Sequence, residues 1–103
     1  MPERDVLRAI MLETSDQVDW LRNNSGVADY DGLRVRYGCG GKGGSDLIGV
    51  RRTDGRMVCC EVKGPAGSVS REQHQFLARM RRSHAIALVA RSVEDVLAAL
   101  SLP

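Results

Sequence analysis

Hydrophobic residues along this chain change their period several times, and each change marks an element. Val6, Leu7, Ile10 and Met11 recur at helical spacing, which predicts an amphipathic helix over residues 4–14. Val18, Trp20 and Leu21 predict a short strand that runs into the turn-rich stretch Arg22-Asn-Asn-Ser-Gly26. Leu33-Arg-Val-Arg-Tyr37 alternates apolar and charged residues, as a strand with one wet face does, and Gly38 to Gly44 reads as a flexible loop. The runs Ser45–Val50 and Met57–Lys63 carry apolar residues on both faces and so belong in the middle of a sheet covered on both sides. Ser70-Arg-Glu-Gln73 matches a capping box, and Phe76, Leu77 and Met80 define the buried stripe of the helix it opens. Ala85–Ala90 predicts a buried strand, and Ser92 caps a last helix through about Leu100. The expected order is αββββαβα, an α/β fold with a mixed central β-sheet flanked by helices. No repeat or linker divides the 103 residues, so a single domain, 1–103, is expected.

The two central runs meet at Asp54-Gly55, and Asp-Gly between apolar runs is the strongest short-range hairpin signal. With a two-residue loop, Thr53 faces Arg56, Ile48 faces Glu61 and Asp46 faces Lys63. Alternation then puts Asp46, Glu61 and Lys63 on one face. Glu61 and Lys63 interrupt a strand that is otherwise apolar on both faces, where charge is costly unless paired or metal-bound. Two carboxylates on one face suit a hard cation such as Mg²⁺, which favours oxygen ligands. Lys63 is placed to orient or deprotonate an attacking water and to pair with a phosphate oxygen. The set is a candidate metal-dependent phosphodiesterase site. Its bland alternative is a cross-strand Asp46–Lys63 salt bridge with Glu61 exposed. Gln73 has two compatible readings: its amide can return to the Ser70 backbone as a cap, and it lies on the inward stripe, three and four residues before Phe76 and Leu77.

Composition narrows the surroundings. A net charge of +2 permits nucleic acid as partner without demanding it. Cys39, Cys59 and Cys60 are odd in number, two are adjacent and none forms a C-x-x-C pair, so neither a disulfide framework nor a zinc site is expected. The longest uncharged apolar stretch, Ala85–Ala90, is too short to cross a bilayer, and Met1–Asp5 lacks the apolar segment of a secretory signal. A cytoplasmic protein with no membrane contact is expected. Gly38-Cys-Gly-Gly-Lys-Gly43 satisfies G-x-G-x-x-G but precedes a strand where a dinucleotide site needs a helix. Its glycines instead suit close approach to DNA, with Lys42 on a phosphate, against the alternative of a mobile hairpin loop. Arg22, Arg36, Arg51, Arg52 and Arg71 are candidates for a backbone-binding rim. Arg79, Arg81 and Arg82 read as solubilising the second long helix, His74 and His84 as surface residues and Trp20 as core.

Taken together, Gly44-Ser-Asp46, Glu61-Val-Lys63 and Ser70-x-Glu-Gln73 resemble the PD-(D/E)XK nuclease superfamily, and within it the VRR-NUC branch in the short stand-alone form found in phages. The resemblance covers nearly the whole chain. Ser45 departs from it, standing where the family often has Pro. The resemblance implies a restriction-endonuclease-like core and Mg²⁺- or Mn²⁺-dependent cleavage of DNA. Asp46 and Glu61 would be metal ligands, Lys63 would stand beside the water and Gln73 near the metal centre. It further implies an acidic residue from the first helix, Glu3, which shares a helical face with Val6, Leu7 and Ile10, with Glu13, one helical step beyond Ile10, as the alternative. A twofold homodimer acting on branched DNA, in the host-cell cytoplasm if phage-encoded, completes the expectation. Two other classes compete: a DNA-binding module with a degenerate site, and a nucleotide-binding regulator that uses the glycine loop.

Overall fold

A computed structural model describes residues 1–103. The chain forms α1 (Glu3–Glu13), β1 (Val18–Arg22), β2 (Gly26–Tyr30), β3 (Leu33–Tyr37), a 3₁₀ turn (Gly41–Gly43), β4 (Leu47–Arg51), β5 (Met57–Val62), α2 (Arg71–Arg82), β6 (Ile86–Ala90) and α3 (Val93–Leu100). Four strands make a mixed sheet in the order β1-β4-β5-β6, antiparallel except for the parallel β5/β6 pair. A parallel pair needs a crossover, and α2 supplies it, so β5-α2-β6 is a βαβ unit within an α/β fold of restriction-endonuclease-like type.

Alternation along β5 sorts its side chains between two cores. Val58, Cys60 and Val62 join Leu47, Val6 and Ile10 of α1 and Val96 and Leu100 of α3. Cys59 faces the other way, with Phe76 and Leu77 of α2 and Ala85 and Ala87 of the β6 edge. The Ser70 hydroxyl accepts from the Gln73 N–H and the Ser70 N–H donates to Gln73 Oε1, completing the expected capping box. Ser92 likewise caps α3, accepting from the Asp95 N–H. Trp20 packs against the first core and donates its indole N–H to Thr14, as a core aromatic with one polar tip does. Covering of the sheet is less complete than expected, because α2 spans β5 and β6 but leaves Leu21 of β1 and Val50 of β4 exposed on that side.

Two features depart from the expected hairpins. Between β1 and the 3₁₀ turn stand two strands where one was expected, giving the order αβββββαβα. β2 pairs with β3 through Asp31-Gly32, both at positive φ (51° and 80°), as a two-residue type I′ turn requires. Gly26-Val-Ala-Asp-Tyr30 lacks clean alternation and follows Asn-Asn-Ser, which conceals it as a strand. Conversely, Asp54-Gly55 is not a two-residue turn. The ladder pairs Leu47 with Cys60 and Val50 with Met57, and the Arg51 N–H donates to the Arg56 carbonyl, leaving a four-residue loop, Arg52–Gly55. The cause is Arg51: its guanidinium grips the Asp54 carboxylate at 2.6 and 3.0 Å, and Asp54 also accepts from the Arg56 N–H. The slip from the expected register is two residues, and a two-residue slip leaves every side chain on its original face.

Candidate functional site

β5 carries Glu61 into the molecule near its C-terminal end, where the side chain is only 2% exposed. Extending the β4/β5 register by one pair sets Asp46 opposite Glu61, where Lys63 was expected. Asp46 is fixed from three directions. Its Oδ2 accepts from the Val62 N–H at 2.8 Å, its carbonyl accepts from the Asn23 N–H, and the preceding loop is pinned by the Asn23 side chain. That amide donates to the Cys39 and Ser45 carbonyls and accepts from the Cys39 N–H, satisfying three of its hydrogen-bonding positions at once. The residues around Asn23 read from sequence as turn formers alone; nothing local reveals its partners sixteen and twenty-two residues away.

The N-terminus of α1 brings a third carboxylate. One oxygen from each of Glu3, Asp46 and Glu61 lies within 4.8 Å of the others. Glu13, at the other end of α1, is about 15 Å along the helix from Glu3 and outside this cluster. Lys63 Nζ stands 3.6 Å from Glu61 Oε2, and Gln73 Nε2 donates to the same oxygen at 3.0 Å. Gln73 therefore bonds in both directions at once: its Oε1 serves the Ser70 backbone while its NH₂ serves Glu61. The Asp46–Lys63 bridge with an exposed Glu61 is not what forms.

Glu61 Oε1 is buried with no hydrogen-bond partner. Burial first, and then the neighbouring Asp46 carboxylate, push its pKa up to about 8, with Lys63 opposing. Such crowding is costly for carboxylates alone and natural around a cation. Oxygens on opposite sides of an octahedral Mg²⁺ are about 4.2 Å apart, so three carboxylates with one oxygen each within 4.8 Å of the others, beside a buried Glu61 oxygen that lacks a donor, fit a hard divalent ion. Burial raises the Cys60 thiol far above its ordinary value, which keeps it protonated as a core residue.

The arginines and lysines separate. Arg22 and Asp46 line the same cleft, of about 400 Å³, together with Asn23 and Tyr37. Lys42 sits beside α2, 3.6 Å from Glu72. Arg36 lies out on the β2/β3 hairpin, and Arg71 is exposed in the first turn of α2. Arg51 leaves the expected rim altogether: it is buried and donates to the Leu100 and Leu102 carbonyls as well as to Asp54. Arg52, donating to the Ser15 carbonyl, is at the end of β4 opposite Asp46. Arg81 donates to the Ala87 carbonyl, while Arg79 and Arg82 line a groove with Lys42, which a purely solubilising role did not anticipate.

An α/β core whose paired central strands bear Asp46 and Glu61-x-Lys63, with a glutamine from the crossover helix, is the frame of the PD-(D/E)XK superfamily. The VRR-NUC domain model matches residues 10–94, and the chain belongs to that family. Membership implies a nuclease-type function with DNA as substrate, and the acidic cluster suggests a divalent metal. The match begins after Glu3, so the place of Glu3 in the cluster rests on geometry alone. Neither a curated protein nor a solved structure matches the chain. No helix is long and apolar enough to cross a membrane.

Proposed function

We propose that this protein is a divalent-metal-dependent DNA endonuclease that hydrolyses phosphodiester bonds, with Glu3, Asp46 and Glu61 as metal ligands and Mg²⁺ or Mn²⁺ as the ion. The observation that carries the reading is Glu61, a carboxylate that is 2% exposed, has one oxygen without a partner and faces two further carboxylates. When bound, the ion supplies charge neutralisation at the phosphoryl oxygens and lowers the pKa of water. The chain's own groups do the rest. Val62 N–H and Gln73 hold the Asp46 and Glu61 carboxylates in place. Lys63, partly shielded beside Glu61, orients the attacking water and offsets charge that develops on the phosphoryl group. Arg22 and Lys42 contact the DNA backbone on either side of the reacting phosphate, and Arg36 extends that contact along the hairpin.

A twofold dimer acting on branched DNA completes the proposal. In the β2/β3 register Ala28, Tyr30, Leu33, Val35 and Tyr37 share one face and all are exposed. An isolated two-stranded hairpin is marginal in water. A face without charge can meet its own copy about a twofold axis without burying an unpaired ion. Two sites in fixed relation suit a substrate with two strands to cut.

Labelled junction, flap, nicked and plain duplex DNA incubated with the protein in Mg²⁺, Mn²⁺ or EDTA tests the function, and light scattering tests the dimer. Cleavage in either metal and none in EDTA, from a species of twice the chain mass, is expected. DNA binding without cleavage in any metal would reassign the protein to a non-catalytic binding module, and a strict monomer at high concentration would reject the dimer.

A further inference from the structure

Beyond the carboxylate cluster, the outer side of α2 and the 3₁₀ turn Gly41–Gly43 enclose a groove of about 410 Å³. Lys42, Gln75, Arg79 and Arg82 line it. Its walls are set by packing. Gly43 lies so close to the Glu72 carbonyl that any side chain there would collide with the helix backbone, so the turn is seated directly on α2. That seat fixes Lys42 against the helix. Arg79 stands over the Phe76 ring at 5.7 Å from its centre, which orders the guanidinium without consuming its donors.

The charges are unbalanced. Glu72 is answered by Lys42 at 3.6 Å, but neither Arg79 nor Arg82 has an acidic partner or an internal hydrogen bond. Two unpaired arginines three apart on one helix face repel each other. Arg81, between them in sequence, is already engaged by the Ala87 carbonyl. Ten N–H donors from two guanidiniums, with the Gln75 amide beside them, match the oxygens of phosphate groups in number and geometry. The groove is also tied to the site, because Asp46 follows Lys42 by four positions, which span at most about 14 Å. That is the axial rise of about four nucleotides of one strand.

We infer that this groove is a second phosphate-binding site, in which Arg79 and Arg82 hold the backbone of the DNA strand a few nucleotides from the phosphodiester at Asp46. The inference rests on the nuclease reading and adds to it the path of the bound strand. Gly43 packed on α2 makes the groove and the carboxylate cluster one rigid unit, since Gln73 of the same helix turn holds Glu61. The contact is to backbone, so it carries no base preference.

The test is binding of a labelled duplex in EDTA, where no cleavage occurs, over a series of NaCl concentrations. Wild type is compared with Arg79→Ala/Arg82→Ala, Arg79→Lys/Arg82→Lys and Arg52→Ala, the last removing a charge from the far end of the sheet. The double alanine variant is expected to bind at least about tenfold more weakly, with a salt slope shallower by about 1.8 and unchanged melting. The double lysine variant should keep most of the slope, and Arg52→Ala all of the affinity. Wild-type affinity and slope in the double alanine variant would overturn the groove while leaving the nuclease reading intact. Absence of salt-dependent DNA binding by wild type would overturn the groove as well, whereas the nuclease reading falls only if Mg²⁺ and Mn²⁺ both fail to support cleavage. Inorganic phosphate at the same phosphorus concentration should not displace the duplex; displacement would reassign the groove to a free anion.

Discussion

The β2/β3 hairpin turns through Asp31-Gly32 and the β4/β5 hairpin through Asp54-Gly55, and the same dipeptide does different work in each. At Asp31-Gly32 nothing outside the hairpin intervenes, and both residues take the left-handed conformation of a two-residue turn. At Asp54-Gly55 the buried Arg51 recruits the aspartate, only Gly55 of the pair is left-handed, and the loop grows to four residues. Solvent separates them further. Leu33 and Tyr30 are 68% and 76% exposed, whereas Val58 to Val62 are all buried. Asp29, Arg34 and Arg36 therefore sit on the outer hairpin at almost no cost, and their charges say little about chemistry. Glu61 and Lys63 sit where charge is costly, and theirs say a great deal. Burial, not residue type, makes a charge informative.

Loss of the charges around Glu61 gives the sharpest contrast between the hairpins. Asp46→Asn and Lys63→Ala should each lower metal-dependent DNA cleavage by about a thousandfold or more, roughly 4 kcal/mol of transition-state stabilisation, while Arg34→Ala on the outer hairpin stays within about twofold. Comparable activity in all three variants would erase the distinction. Next in size is packing. Leu47→Ala should cost about 2–5 kcal/mol in urea denaturation, because its side chain is fully enclosed, whereas Val27→Ala on the charged face of the outer hairpin should cost less than about 0.5 kcal/mol. Equal costs would show that the outer hairpin is as tightly built as the inner one.

The pH dependence of the metal-free protein carries a sign fixed by Glu61. Its folded pKa is raised to about 8, so between its ordinary value near 4.5 and about 8 the folded state binds more protons than the unfolded one. Stability from this group is present at low pH and falls as pH rises through that window. Melting without divalent ions should therefore drop from pH 5 to pH 8 in wild type and flatten in Glu61→Gln; the same slope in both would remove Glu61 as its source. Asp54 runs the other way: Arg51 holds it down to about 2, so its contribution persists above the ordinary carboxylate range and is lost as pH falls toward 2. The smallest expected effect belongs to Gln73→Glu. The new side chain keeps an acceptor for the Ser70 N–H but replaces the donor to Glu61 with a like charge. Cleavage should fall about tenfold, roughly 1.4 kcal/mol, with the helix cap intact. Unchanged cleavage across a metal titration would reduce Gln73 to a cap.

Much of this was legible in the chain because local patterns encode faces more securely than register. Asp46, Glu61 and Lys63 were assigned to one side by alternation, and a two-residue slip could not move them off it. The Ser70–Gln73 cap was readable because all its partners lie within four residues. What escaped depends on partners far away in sequence. Arg51 looked like a surface cation until the Leu100 and Leu102 carbonyls, about fifty residues on, gave it a buried role. Asn23 needed Cys39 and Ser45, and Arg79 and Arg82 needed Lys42 from another loop. β2 was missed because its alternation is broken by Val27 on the charged face, so only the pairing with β3 defines it as a strand.

The central claim is that Glu3, Asp46 and Glu61 form a divalent-metal site. Titration of Mn²⁺ into the metal-free protein, followed by thermal melting, tests it most directly. Binding to the folded state alone raises its stability by about 2.7 kcal/mol at a hundredfold excess over Kd, so melting of wild type should climb with Mn²⁺ concentration. Glu3→Gln, Asp46→Asn and Glu61→Gln should each weaken the climb, and the combination of all three should abolish it. No climb in wild type, or an equal climb in the triple variant, would contradict the account.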